Sequence, residues 1–184
     1  SANTATGGLA LASNIEGDNN TALGVEALYG NISGQDNTAS GAAVMLNNTT
    51  GSQNTASGNE ALFFNTSGSH NTASGWDALR SNITGSYNTA IGNAANVGSG
   101  DLTNATAIGN GAIVSANNTM QLGNADLDNV KTNGAITAGS TITAGGTITA
   151  GQVTYPESHG SNGQVLSTNG SGTLTWVAAS AGAA

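Results

Sequence analysis

Apolar and polar positions follow one another in an order that returns every seventeen residues. One unit reads N-T-A-x-G-x-x-A-L-x-x-N-x-[ST]-G-x-x, where x is variable, and we number its positions 1 to 17 from the first Asn. Ala at position 3 and an Ala-Leu pair at positions 8 and 9 are the apolar places. Gly and Asn accept the positive φ angles of turns. The unit is therefore predicted to contain two short strands and two turns.

The repeat keeps its register through seven units. The ladder of repeated residues consists of Thr4, Thr21, Thr38, Thr55, Thr72, Thr89 and Thr106 at position 2, and Gly7, Gly24, Gly41, Gly58, Gly75, Gly92 and Gly109 at position 5. A helical repeat would need longer apolar faces and much less glycine. We predict an all-β solenoid with one coil per unit and coils ~4.8 Å apart. Asn and Thr columns are expected to hydrogen-bond along the axis around a thin interior of Ala and Leu.

The seventeen-residue register stops after Gly109, where Leu122-Gly123 repeats Ile108-Gly109 after fourteen residues. Beyond a transition, Ile recurs at every sixth place, which is typical of short β-segments wound around an axis. Two alternating apolar segments then flank Asn169-Gly170 and predict a β-hairpin. The chain is thus divided into repeats 1–123, a transition 124–135, a β-helical or β-prism shaft 136–154, a hairpin module 155–177 and a linker tail 178–184.

The composition suits a narrow repeat better than a globular domain. Charged residues make up 7% of the chain and aromatic residues 4%, whereas about 25% of a typical soluble domain is charged. Ala and Ser at most inward positions bury little apolar area, and ordering each residue costs about 1–2 kcal/mol. We therefore expect another surface to stabilise the coils, and we infer self-association. The chain begins at Ser1, inside a repeat, which suggests a processed product or an excised piece of a longer protein.

The charge balance excludes several classes of function. The formal net charge is −8, and Arg80 and Lys131 are the two basic residues. Nucleic-acid binding is not expected, because no basic stripe can displace phosphate counterions. No apolar run approaches the ~18 residues of a membrane span, so direct membrane insertion is not expected. The glycine-rich sequence lacks the phosphate-binding phrases G-x-G-x-x-G and G-K-[ST], and no cofactor is predicted.

Titratable side chains are scattered and predict neither a metal site nor an enzyme. Those weighed as ligands or bases are His70, His159, Glu26, Glu60, Asp77, Asp126 and Asp128. The histidines lie in different segments without partners. The position-7 acids are expected to form a solvated face, although Glu60 and Asp77 fall on consecutive coils and could share a cation. The D-x-D pair at residues 126–128 lacks the Gly and the distal Glu of an EF-hand loop.

Candidate surface contacts come from the variable positions. They are Tyr29, Phe63, Phe64, Trp76 and Tyr87. Aromatic side chains on a rigid polar scaffold suit carbohydrate stacking or protein contact. The alternative is that they cap the thin core or pack between chains. The Thr columns also raise ice binding, but position 4 varies among Thr, Leu, Ser and Ile, so a uniform T-x-T face is lacking.

From Asn3 to about Gly123 the units resemble the head repeats of trimeric autotransporter adhesins (YadA-like heads). They are even more similar to the seventeen-residue variants in tail-fibre-type proteins of phages and bacteria. The resemblance implies a left-handed parallel β-roll with three chains packed side by side. It also implies a trimeric shaft for the six-residue period, and a small domain that precedes a chaperone or coiled coil for the segment ending at Thr175-Trp176. The units are longer than those of the adhesin heads, and no long coiled-coil stalk is present.

These observations predict a structural and adhesive segment of a trimeric extracellular fibre on a bacterial surface or a phage virion. Its expected partners are two further copies of itself and a cell-surface glycan or protein receptor on a host, prey or substrate. Two alternatives stay open, an architectural spacer and a polymerising extracellular filament subunit without a receptor site. A polysaccharide lyase on a β-helix would need a cluster of acids or basic residues that the sequence does not offer.

Overall fold

The repeat units stack as about seven coils of a parallel β-solenoid. The structure, a computed structural model, describes residues 2–126, 130, 149–150, 153–154, 160–168 and 173–179. The regular structure of these residues is β-strand and turn, without helix, so the all-β prediction is confirmed for them. The chain divides into two compact units, Ser1–Val130 and Lys131–Ala184, each described by itself below.

No helix in the described part of the chain has the length and apolarity needed to cross a membrane.

The described residues of the first unit form ten short strands. They are β1 (Thr4–Thr6), β2 (Thr21–Leu23), β3 (Thr38–Ser40), β4 (Thr55–Ser57), β5 (Thr72–Ser74), β6 (Thr89–Ile91), β7 (Asn96–Val97), β8 (Thr106–Ile108), β9 (Ile113–Val114) and β10 (Met120–Leu122). Eight of them form one parallel sheet in the order β1-β2-β3-β4-β5-β6-β8-β10. Position-2 threonines pair with one another from Thr4 to Thr106, which confirms the seventeen-residue coil. Met120 pairs with Thr106, so the last step has fourteen residues.

Each of the first five coils contains one strand, whereas the sequence predicted two. Positions 7 and 9 have positive φ, for example 55° at Glu60 and 52° at Leu62. Left-handed residues at alternate positions cannot form an extended strand, so this part of the coil is a run of turns. A second strand forms in the last two coils, where Asn96 and Ile113 take position 9 and β7 pairs with β9.

Small apolar side chains fill the interior of the coils. The fully buried residues at positions 3, 8 and 9 are Ala22, Ala27, Leu28, Ala39, Val44, Met45, Ala56, Ala61, Leu62, Ala73, Ala78 and Leu79, and buried Ala and Val continue this core to Val114. The interior of Ala and Leu columns is therefore confirmed. Because each coil contributes one large side chain, the core is thin.

Two columns of asparagine run through this interior and hydrogen-bond along the axis. At position 12, Asn48 Nδ2 donates to Asn31 Oδ1 at 2.8 Å and to the Gly51 carbonyl at 2.9 Å. At position 1, the backbone N–H of Asn37 donates to Asn20 Oδ1 at 3.0 Å, and Asn37 Nδ2 donates to the same Gly51 carbonyl at 2.9 Å. The glycine carbonyl thus joins the two columns. Buried amides persist here because almost every donor and acceptor has a partner.

The position-2 threonines lie on the outside of the sheet. Thr38 and Thr55 are exposed, and the backbone N–H of Thr38 donates to the carbonyl of Asn54 at 2.9 Å. Within the described residues these threonine side chains make no hydrogen bond along the column. The predicted hydrogen bonding of threonine side chains is therefore wrong. In a strand, alternate residues face opposite sides, and Ala at position 3 faces inward.

Glycine at position 5 is required by the spacing of the coils. Gly41 has φ of 139°, and a Cβ atom there would lie 2.6 Å from the carbonyl oxygen of Gly58. Both the backbone angle and the contact exclude a side chain at this corner. Gly8, at variable position 6, has no atom within 4 Å of such a Cβ. The repeated glycines of the sequence therefore mark corners where adjacent coils touch through their backbones.

The described residues of the second unit form two antiparallel strand pairs. They are β11 (Thr149–Ala150) with β12 (Val153–Thr154), and β13 (Gln164–Thr168) with β14 (Leu174–Ala178). Leu166 pairs with Trp176 in the longer pair. The predicted turn Asn169-Gly170, most of the shaft and the linker tail lie outside the described residues, as do Lys131 and His159.

Candidate functional site

The outward face of the eight-stranded sheet carries no charged side chain. It consists of positions 2 and 4, which the strand alternation turns away from the core. Thr and Ser fill the central coils. Apolar residues are exposed nearer the ends of the sheet, with 41% of Leu23, 46% of Ile91 and 39% of Leu122 accessible. This surface, named the sheet face, is uncharged and continuous over all eight strands.

The chain's one arginine lies in a cluster of variable residues that follow the position-5 glycine along the coil. The Arg80 cluster consists of Glu60, Phe63, Phe64, Asp77 and Arg80, at positions 7, 10 and 11 of the fourth and fifth coils. Arg80 Nε donates to Glu60 Oε2 at 2.9 Å and lies 3.2 Å from Asp77 Oδ1. The single Nε hydrogen points at Glu60. Asp77 Oδ1 is therefore buried beside the positive charge without a hydrogen bond.

The cation that Glu60 and Asp77 share is thus the guanidinium of Arg80. A solvated acidic face was expected at these two positions, and the structure corrects this, because both carboxylates are ion-paired and only 34% and 21% of their side chains are accessible. Arg80 was missed as their partner. It stands three residues after Asp77 and twenty after Glu60, which is one coil plus three. That spacing was the available signal.

Two phenylalanine rings also contact the guanidinium of Arg80. The rings of Phe63 and Phe64 meet edge to face, with centroids 4.8 Å apart and planes at 85°. Arg80 Cζ lies 5.1 Å from the Phe63 centroid and 4.7 Å from the Phe64 centroid. Both distances are in the range of cation–π attraction. With the salt bridge, these rings fix the orientation of the guanidinium at the surface.

Trp76 adjoins the cluster at position 6 of the fifth coil. Its indole is 52% exposed, and Nε1 donates to Asn59 Oδ1 on the preceding coil at 3.1 Å. Asn59 Nδ2 in turn donates to the Ala42 carbonyl at 3.4 Å. The hydrogen bond fixes the polar edge of the indole and leaves ring surface accessible. Trp76 therefore lies next to Asp77 and one coil from Glu60.

The five aromatic candidates do not form one site. Phe63, Phe64 and Trp76 lie on neighbouring coils. Tyr87 stacks on His70 at position 17, with centroids 4.6 Å apart and planes at 5°. Tyr29 lies at position 10 of the second coil and is 40% exposed. The alternative that these residues cap the core does not describe Tyr29, Phe64, Trp76 or Tyr87, which are 40–58% exposed while Leu and Met close the interior.

Other features of the described residues offer little to a ligand. No group of three or more His, Asp or Glu in this part of the chain is placed to hold a metal ion. Asp126 is exposed and its Oδ2 accepts a hydrogen bond from Asn124 at 3.3 Å, while Asp128 lies outside the described residues. A shallow depression of about 410 Å³ beside the last coil is lined by Gly111, Ile113, Gln121, Gly123, Asn124 and Ala125, none of them titratable.

The fold defines the class of protein as a β-solenoid repeat protein with seventeen-residue coils. Comparisons with protein-family models, curated proteins and solved structures return no match. The resemblance to adhesin head repeats therefore stays a prediction. Two surfaces of the described residues stand out from the repeat, the sheet face and the Arg80 cluster.

Proposed function

We propose that the chain is a structural and adhesive segment of a trimeric extracellular fibre, carried by a bacterial surface or a phage virion. Three copies pack side by side through their sheet faces and present the turn side of the coils to a host, prey or substrate. In this proposal the coils wind left-handed, residues 136–154 continue as a shaft, and 155–177 form a hairpin module. The role is scaffolding and attachment, and no catalysis is assigned.

The sheet face is the observation that carries this proposal. The protein has a net charge of −8 and ten acidic side chains, yet none of the sixteen outward positions of the sheet carries an acidic residue. Association through a charged face would bring like charges together near a common axis, at a cost that grows as water is excluded. Thr and Ser can hydrogen-bond across such an interface, and Leu23, Ile91 and Leu122 can bury apolar area there.

The thin interior supports the same conclusion. Each coil from the second to the fifth buries one Leu or Met and two smaller apolar side chains. So few buried apolar groups offset only part of the conformational entropy that is lost when the seventeen residues of a coil are ordered. The Asn columns and backbone bonds offset part of this cost, and burial of the sheet face adds to the stabilisation. Repeat proteins depend on such interfaces because no single unit forms a closed core.

Light scattering of the purified chain tests the trimer directly. Three chains of 17.8 kDa give about 53 kDa. Ser57→Glu places a carboxylate on the sheet face and is expected to give monomers. Ser67→Glu, on an exposed serine of the same coil outside the sheet, is the matched control and keeps the trimer mass. A wild-type mass of one chain would refute the trimer, and a trimeric Ser57→Glu variant would exclude the sheet face as its interface.

The architectural spacer is the alternative that the scaffold itself favours. The pairing of one coil with the next is unbroken from Thr4 to Leu122, and a rigid spacer needs that property as much as an adhesin does. The two functions differ in whether the exposed variable residues bind a ligand. A trimer whose aromatic and charged turn residues can be replaced without loss of attachment is a spacer.

A further inference from the structure

We propose that the Arg80 cluster, together with Trp76 and Asn59, is a binding site for a neutral glycan built of pyranose rings. The inference rests on the proposed adhesive function and names the class of ligand that the fibre attaches to.

The fold does not require the residues gathered here. Three of the seven aromatic residues and the one arginine of the chain lie within residues 59–80. At the same positions the third coil carries Ala42, Ala43, Leu46 and Asn47, and its strand β3 keeps the same register. None of the cluster's side chains recurs at these positions, so the register of the coil does not depend on them. The cluster therefore adds chemistry to a scaffold that forms without it.

The cluster offers donors and acceptors side by side. The guanidinium uses Nε for Glu60, and its two terminal NH2 groups make no hydrogen bond with the described residues. Asp77 Oδ1 accepts none either, but it is buried from solvent and therefore closed to a ligand. A sugar hydroxyl donates one hydrogen bond and accepts others. Adjacent hydroxyl groups of a pyranose can therefore bridge the NH2 edge of Arg80 and the partly accessible carboxylate of Glu60, displacing little except water.

Exposed aromatic rings supply the apolar half of the site. Trp76 is 52% and Phe64 42% exposed, while hydrogen bonding and ring packing restrict their rotation. One face of a pyranose ring presents C–H groups, which pack on aromatic rings as other apolar groups do. Side chains that are already ordered lose less entropy when a ligand binds. The indole thus serves as a platform beside the polar cluster.

Charge decides between neutral and acidic glycans. Two carboxylates and one guanidinium give the cluster a formal charge of −1, on a chain of net charge −8. A carboxylate or sulfate group near Arg80 would also lie near Glu60 and Asp77, and the field of the whole chain would slow its approach. Sialylated and uronate-containing glycans are therefore expected to bind more weakly than neutral ones.

The size of the surface favours a small ligand over a protein. The cluster covers two coils, or roughly 10 Å along the axis at the usual strand spacing. A stable protein interface buries about 800 Å² on each partner, from 20–30 residues. One or two sugar rings match the length of the cluster along the axis. A second copy of the chain at this place is a separate possibility, and the experiment below detects it.

The experiment uses the full chain with Trp176→Phe, so that Trp76 is the only tryptophan. The protein is applied to an array of immobilised neutral, sialylated and uronate-containing glycans, and a neutral glycan that binds is then titrated while Trp76 emission is followed. We expect saturable change in the emission. Trp76→Ala and Arg80→Lys, tested by array or calorimetry, should each weaken binding at least tenfold, since Lys keeps the charge but loses the planar NH2 edges.

Tyr29→Ala is the matched control, an exposed aromatic of position 10 in another coil, and it should change affinity less than twofold. Light scattering and thermal unfolding of every variant check that assembly and fold are retained. The proposal is overturned if no neutral glycan binds, if acidic glycans bind better, if binding survives Trp76→Ala and Arg80→Lys, or if Trp76→Ala dissociates the trimer. A trimer that binds no glycan leaves the fibre proposal standing as a spacer, whereas a glycan-binding monomer refutes the fibre and keeps the site.

Discussion

Asn48→Ala tests whether the buried asparagine columns stabilise the solenoid. Asn48 lies in the middle of the position-12 column and is fully buried. Its Nδ2 group donates to Asn31 Oδ1 at 2.8 Å and to the Gly51 carbonyl at 2.9 Å, and its Oδ1 accepts from Asn65 Nδ2 at 2.8 Å. Alanine removes all three hydrogen bonds and leaves the interior otherwise unchanged.

The expected cost follows from what each former partner has left. Gly51 keeps the hydrogen bond from Asn37, and Asn65 keeps its bond to the Gly68 carbonyl. Asn31 Oδ1 loses the one partner it has among the described residues. Three net hydrogen bonds contribute about 3 kcal/mol, and one buried acceptor left unpaired adds about 1–2 kcal/mol. We expect the free energy of unfolding to fall by about 3–5 kcal/mol, and Tm to fall by roughly 10 °C.

Guanidinium unfolding followed by circular dichroism measures this change. All variants are compared at one protomer concentration, because the stability of an oligomer depends on concentration. Asn14→Ala, at the half-buried end of the same column, removes two hydrogen bonds and should cost less. Asn110→Ala removes one exposed 3.3 Å bond and should stay within about 0.5 kcal/mol. If Asn48→Ala costs no more than Asn110→Ala, the column does not stabilise the fold and the reasoning is refuted.

Two further substitutions test the corners and the core by the same unfolding assay. Gly41→Ala should lower the free energy of unfolding by about 3 kcal/mol or more, because φ is 139° and Cβ would lie 2.6 Å from the Gly58 carbonyl oxygen. Gly8→Ala is the control and should be neutral or stabilise by less than about 1 kcal/mol. Equal effects of the two substitutions would show that the coil spacing adapts to a side chain. Leu62→Ala should lower the free energy of unfolding by about 2–5 kcal/mol. Ile15→Ala, at a side chain that is 77% exposed, should lower it by about 0.5 kcal/mol or less. A small loss at Leu62 would mean that the interior collapses around the cavity.

The sequence predicted the coil length and its end because both are written in the spacing of glycines and threonines. Gly109 to Gly123 is fourteen residues, and the structure pairs Leu122 with Ile108 accordingly. A corner that admits only glycine fixes the register wherever it recurs. Both features depend on contacts between residues that are one coil apart, so a periodic pattern is sufficient evidence.

The prediction of a second strand in each coil and the prediction of a hydrogen-bonded threonine column were both wrong, and for a shared reason. Leu62 adopts φ of 52°, against its local preference, because each coil must follow the coil beneath it. Likewise, both Asn and Thr can form polar columns, and the direction in which a strand faces decides which column lies inside. The structure buries Asn54 and exposes Thr55. Spacing along the chain does not encode that direction, since both neighbours have the same period.

The packing of the interior explains why the Arg80 cluster lies on the outward turns of the coils. Interior columns hydrogen-bond and pack only if successive coils carry matching residues, so chemistry that differs between coils is confined to the outward turns. Stacked carboxylates there repel one another, and Arg80 between Glu60 and Asp77 offsets that repulsion. The adjoining coils carry Ala43 and Ala94 at position 7. A third acid would have no cation, which explains why the acidic column is two coils long where the single arginine stands.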